Sequence, residues 1–126
     1  MHWGVNSMNS RKLNQLLIEN FPNLLDKYNE EIEWQEGDET GSHTVYGDVL
    51  APYLIECIIE HNDFEVIKIL NFIERILELN DKYSDEVIAF SILERIEYEY
   101  RDSELLCSNY GKLSKQIIEE IQCQTT

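Results

Sequence analysis

Basic residues are scarce in this chain of 126 residues: ten Lys and Arg stand against 25 Asp and Glu, for a formal net charge of −15. So negative a surface opposes direct binding to nucleic-acid phosphates or anionic lipid and favours a positively charged partner. Proline (two) and glycine (five) are equally sparse, which leaves no Pro- or Gly-rich linker to separate domains. One domain is expected, and at this length it buries roughly two thirds of its unfolded surface without disulfides or a structural metal. Cys57, Cys107 and Cys123 are odd in number and widely spaced, with no Cys-x-x-Cys pair; that usage fits a reducing compartment. No apolar run approaches the roughly 18 to 20 residues of a membrane span. Residues 1–8 lack the apolar stretch of a secretory signal and read as a flexible extension. These absences together predict a cytoplasmic protein with no membrane partner.

The apolar residues that are present recur at the helical period, and strand-like alternation is missing, so the fold class is all-α. A first helix opens near Ser10, buries Leu13, Leu16 and Leu17, and stops at Asn20 before Phe21-Pro22. A second places Leu24, Leu25, Tyr28 and Ile32 inward and ends near Trp34. Residues 35–47 show neither period and form a long acidic loop, after which Asp48 caps a third helix that carries Pro52 in its first turn. Asp63 caps a fourth helix with apolar residues on two faces, and Ser84 a fifth with Val87, Ile88, Phe90, Leu93 and Ile96 inward. Asp102 or Ser103 opens a short sixth, and Gly111 separates it from a last helix bearing Leu113, Ile117, Ile118 and Ile121. Short breaks between helices predict antiparallel neighbours. The expected architecture is one domain over residues 9–126, an antiparallel bundle or short solenoid-like stack of about six or seven helices. The Glu-Arg pairs in Phe72-Ile73-Glu74-Arg75 and Ile92-Leu93-Glu94-Arg95 read as solvated charges on central helices.

The acidity is concentrated. No Lys or Arg lies between Lys27 and Lys68, whereas eleven Asp and Glu do. Crowded like charges destabilise the folded state by self-repulsion, so an uncompensated cluster points to an external basic surface. Glu30, Glu31, Glu33, Glu36, Asp38, Glu39 and Asp48 form the candidate contact set, with Trp34 and Tyr46 as aromatic anchors inside a charged rim.

Catalytic and metal chemistry finds little material. Histidine is limited to His2, His43 and His61. Cys57 and His61 have the i, i+4 spacing of two zinc ligands, but no second pair completes a tetrahedral site. His43 beside Asp38 and Glu39 lacks a desolvated pocket that would tune a general base. The loop fails the EF-hand spacing, and no phosphate loop, nucleophile elbow or His-Glu-x-x-His occurs. No enzyme, metal or cofactor is expected.

Certain residues nonetheless form a pattern: Trp34, His43-x-x-Tyr46-Gly47-Asp48-Val49-Leu50-x-Pro52, Phe72-Ile73-Glu74, Ile92-Leu93-Glu94 and Tyr110-Gly111-Lys112-Leu113-Ser114. Over about residues 13 to 122 the chain resembles small acidic all-helical bacterial immunity proteins of contact-dependent growth inhibition and other polymorphic toxin systems. That resemblance implies a cytosolic antidote that binds a cognate basic toxin domain, a nuclease, one to one and blocks it without chemistry. The charge agrees: carboxylates can mimic phosphates or plug a cationic cleft, and complementary fields raise association rates towards about 10⁸ to 10⁹ M⁻¹s⁻¹. A phage-type nucleic-acid mimic and a helical peptide-binding scaffold are the alternatives.

Overall fold

A computed structural model describes residues 8–35, Gly37 and residues 40–125. Seven helices span the described residues: α1 (Ser10–Asn20), α2 (Leu25–Glu33), α3 (42–59), α4 (Asp63–Leu77), α5 (82–100), α6 (Glu104–Asn109) and α7 (Lys112–Thr125). No strand occurs among those residues, and the expected all-α bundle is the fold. None of the helices is long and apolar enough to cross a membrane.

Capping residues set the boundaries, within a few positions of those read from the sequence. Asn9, not Ser10, accepts from the Lys12 amide at the start of α1. Asn62, not Asp63, caps α4, and Asp81, not Ser84, caps α5. Ser103 caps α6. In each case a short polar side chain accepts from an amide that has no intrahelical partner. Met8, placed in the extension by the sequence, is tied down, because its amide donates to Asp81 Oδ1 at 3.3 Å. The rest of that segment, residues 1–7, lies outside the described residues. A 3-10 turn at Pro22–Leu24 leads into α2 and changes its phase, so Leu24 is buried while Leu25, expected inward, faces out.

The largest correction concerns α3. It starts at Ser42, six residues before the expected Asp48, so residues 42–47 are helical and not loop. Pro52 consequently falls inside the helix, where its ring and missing N–H disrupt an α-turn. The chain accommodates it with a π-turn over Tyr46–Leu50, in which the Ala51 amide donates five residues back to the Tyr46 carbonyl. A second π-turn, Ala89–Leu93, interrupts α5, with the Glu94 amide donating to the Ala89 carbonyl. Because a π-turn holds about one residue more than an α-turn, the buried positions of α5 run Ser84, Val87 and Ile88 before it and Ile92, Leu93, Ile96 and Glu97 from its end onward, so Val87, Ile88, Leu93 and Ile96 face inward as expected. Phe90, expected inward, is 61% exposed.

α4 is the central helix, as its two apolar faces predict, and packs against α3, α5, α6 and α7. Its Phe72 stands edge-on to Phe21, with centroids 5.3 Å apart, and stacks on Tyr46 at 6.4 Å. Such aromatic pairs contribute beyond the area they bury. α1 and α2 lean on the first half of α3, and the π-turns of α3 and α5 pack on each other.

Candidate functional site

The first half of α3 is held by a buried polar network. Ser42 Oγ donates to Asn14 Oδ1 at 2.8 Å, and Asn14 Nδ2 donates to the Thr40 carbonyl at 2.8 Å. Both side chains are fully buried and matched to partners, so their desolvation is offset. Tyr83 Oη and Ser10 Oγ, 2.6 Å apart, close the network over the Ser42 amide. Tyr46 belongs to this core: it is 0% exposed and its hydroxyl donates to the Leu13 carbonyl at 2.6 Å. Burial, with a smaller contribution from Tyr83, pushes its pKa up. Tyr46 is therefore a packing residue and not the anchor its sequence position implied.

The other candidate contact residues divide. Trp34, at the end of α2, is 84% exposed. Glu30, Glu33 and Asp48 are exposed, and Glu31 is half-buried. α2 packs along residues 42–50, so the element that carries Glu30 and Glu33 and ends at Trp34 neighbours the π-turn that carries Asp48. Glu36, Asp38 and Glu39 lie outside the described residues. Among the described residues the ion pairs are Lys27–Glu30, 3.9 Å apart on the surface, and Arg101–Glu97 at 3.0 Å. The carboxylates of Glu33, Asp48, Glu56, Glu60 and Asp63 form no ion pair with any described residue, so most of the lysine-free segment retains its field.

Neither His43 on α3 nor His61 in the turn that follows it gains a catalytic setting. The Cys57 thiol is buried, which pushes its pKa up, and the carboxylates of Glu65, Glu56 and Glu60 add to that. His61 is exposed in a left-handed turn with φ 58. No group of three or more His, Cys, Asp or Glu among the described residues is arranged to hold a metal ion. His43 is exposed, its Nδ1 3.3 Å from Ser91 Oγ and its ring edge-on to Tyr83.

Two charges that the sequence leaves solvated have structural work. The Gly47 carbonyl has no helical donor: the Ala51 amide is already engaged one residue back, and Pro52 has no N–H. Arg95 Nη1 reaches across from α5 and donates to it at 3.1 Å. Glu74 of α4 caps α7, its Oε2 accepting from the Leu113 amide at 2.8 Å and its Oε1 from the Ser114 amide at 3.0 Å and Ser114 Oγ at 2.9 Å. Gly111, the capping position itself, has no side chain, and a Cβ there would stand 2.2 Å from Glu74 Cδ. Three of the sequence motifs are thus explained as architecture: Tyr46 to Pro52 forms the π-turn, Phe72 to Glu74 supplies a core ring and a cap, and Gly111 to Ser114 receives that cap. A proline inside an otherwise helical run, and a glycine at a helix start with no capping side chain, were the signals available for these.

Two adjoining concavities lie between α5 and α7, where Phe90, Tyr98 and Ile121 line the surface. The π-turn of α5 put Phe90 there, beyond the reach of a periodicity argument. Fold and surface together define an acidic all-α domain with open concavities between two of its helices. The chain belongs to the family described as a domain of unknown function, DUF7674, whose model matches residues 14–124. No curated protein and no solved structure matches it.

Proposed function

We propose that the protein works by binding alone, as a cytoplasmic immunity protein that neutralises a cognate basic toxin domain, a nuclease, in a one-to-one complex. The observation that carries this reading is the exposed group Glu30, Glu33, Trp34 and Asp48, drawn from a segment without a single Lys or Arg. A large exposed indole, next in the chain to the exposed Glu33 and one turn from Glu30, has the composition of an interface anchor with a charged rim. A nuclease binds polyanions through Lys and Arg, so this surface is complementary to one. Complementary fields act mainly on the association rate, which suits an antidote that must reach the toxin before its substrate does.

The test is co-expression with the product of the neighbouring gene, followed by co-purification and a growth-protection assay. A stable one-to-one complex is expected, with an association rate that falls as salt is added. Reversing Glu30, Glu33 and Asp48 to Lys together should slow association at least tenfold and abolish protection. No complex, or a complex whose affinity and protection survive the triple reversal, would rule the reading out.

A further inference from the structure

The groove between α5 and α7 is a feature that the proposed function leaves unused. It consists of two concavities, of about 1210 and 570 Å³, that share Phe90, Glu94, Ile121 and Gln124 and so run into each other. Its floor is apolar: Ala89 and Phe90 come from α5, and Leu113, Ile117 and Ile121 from α7. Phe90 and Tyr98 are 61% and 89% exposed, an unusual cost for two aromatic rings on one helix.

Its rim is acidic along the whole length. Glu99 and Asp102 stand at one end, Glu94 at the junction, and Glu78, Glu86 and Glu120 at the other end. Two cations also line it. Arg101 pairs with the buried Glu97 at 3.0 Å, whereas Arg95 donates to the neutral Gly47 carbonyl at 3.1 Å and keeps its charge. The groove therefore presents apolar surface within a rim of these six carboxylates and one guanidinium that pairs with no described carboxylate, and its net charge is negative. A second copy of this chain, with its own charge of −15, is repelled from such a place.

The form of the occupant follows from hydrogen bonding. Both walls are helices whose backbone groups are bonded internally, so an extended peptide would find no backbone partner there and would bury unpaired amides. A helix carries its own backbone bonds and needs only side-chain contact. Leu113, Ile117, Ile121 and Gln124 follow one another along three turns of α7, about 17 Å at 1.5 Å per residue. That length matches about 11 residues of a docked helix.

We propose that this groove receives a cationic amphipathic helix from a partner protein, its apolar face on Phe90, Ile117 and Ile121 and its Lys or Arg side chains on the rim carboxylates. The site is separate from the Trp34 surface and does not depend on the immunity reading.

The probe is a capped, fluorescein-labelled 14-residue Leu/Lys peptide patterned for one apolar helical face, titrated with the full chain and followed by anisotropy. A scrambled peptide of identical composition controls for charge alone. Saturable binding of the patterned peptide at least tenfold tighter than the scrambled one is expected. Phe90→Ala should weaken it at least tenfold, while Phe64→Ala, at a still more exposed aromatic on α4, should change it less than twofold. Glu94→Lys with Glu120→Lys gives a second reading independent of Phe90 and should weaken binding at least tenfold. Equal binding of the two peptides, an equal loss in Phe64→Ala, or no binding at all would overturn the proposal. So would light scattering that finds a dimer dispersed by Phe90→Ala, since the occupant would then be a second copy.

Discussion

Replacing Gly111 with Ala adds one methyl group, yet it should remove the cap of the last helix. The new Cβ would lie 2.2 Å from Glu74 Cδ and 2.4 Å from Cγ, so the Glu74 side chain must swing away. It then releases the amides of Leu113 and Ser114, the positions a capping group normally satisfies. Loss of a cap costs about 0.5 to 2 kcal/mol, and hydrogen bonds to a charged acceptor are worth about 1.5 to 3 kcal/mol. Against this, Ala restricts the unfolded chain and returns about 0.4 to 1 kcal/mol. The net loss should be about 1 to 2 kcal/mol, or a fall in Tm of about 5 °C for a domain of this size. Urea unfolding followed by circular dichroism measures it. The decisive arm is the double variant. Once Glu74→Ala has removed the carboxylate, Gly111→Ala has nothing to displace, and it should be neutral or slightly stabilising. If the two losses simply add, the methyl group acts through something other than the cap, and the assignment of Glu74 is wrong.

Two further outcomes follow from the same geometry. Arg95→Ala should cost about 1 kcal/mol by leaving the Gly47 carbonyl without its donor, and urea unfolding should find that cost much reduced in a Pro52→Ala background, where residue 52 regains an N–H. Asp81 gives a pH dependence: burial pushes its carboxyl up, but bonds from the backbone amides of Ser84 and Met8 and from Ser84 Oγ outweigh that and hold its pKa below the ordinary value. A depressed folded pKa stabilises the protein above the unfolded value of about 3.9 and loses that contribution as pH falls through the folded one. The stability gap between wild type and Asp81→Asn should therefore be constant above about pH 5 and close as the solution is acidified below about pH 4; a gap that widens towards acid would contradict it.

How much could be read in advance varied with the range of the interaction. The limits of α1 and the two-sided burial of α4 were legible because capping and helical period are local signals, carried by residues within a turn of each other. Tyr46 and Phe90 were misread for different reasons. The helix that holds Tyr46 starts at Ser42, inside the stretch expected to be loop, whereas Phe90 lies within the π-turn of α5, where periodicity counted at 3.6 residues per turn slips out of phase. Glu74 and Arg95 looked like ordinary surface charges because the Leu113 amide that donates to Glu74 and the Gly47 carbonyl that accepts from Arg95 lie 39 and 48 residues away in the chain.

The amino-acid order alone determined that this is a helical, strongly acidic chain with its cations excluded from residues 28–67; composition and spacing are properties of the linear polymer and survive any folding. Only the tertiary arrangement decided which carboxylates became structural, which aromatic rings were withdrawn into the core, and where apolar surface was left uncovered. Those outcomes depend on helices meeting across dozens of residues, and on the wide turns that rotate one helical face against another.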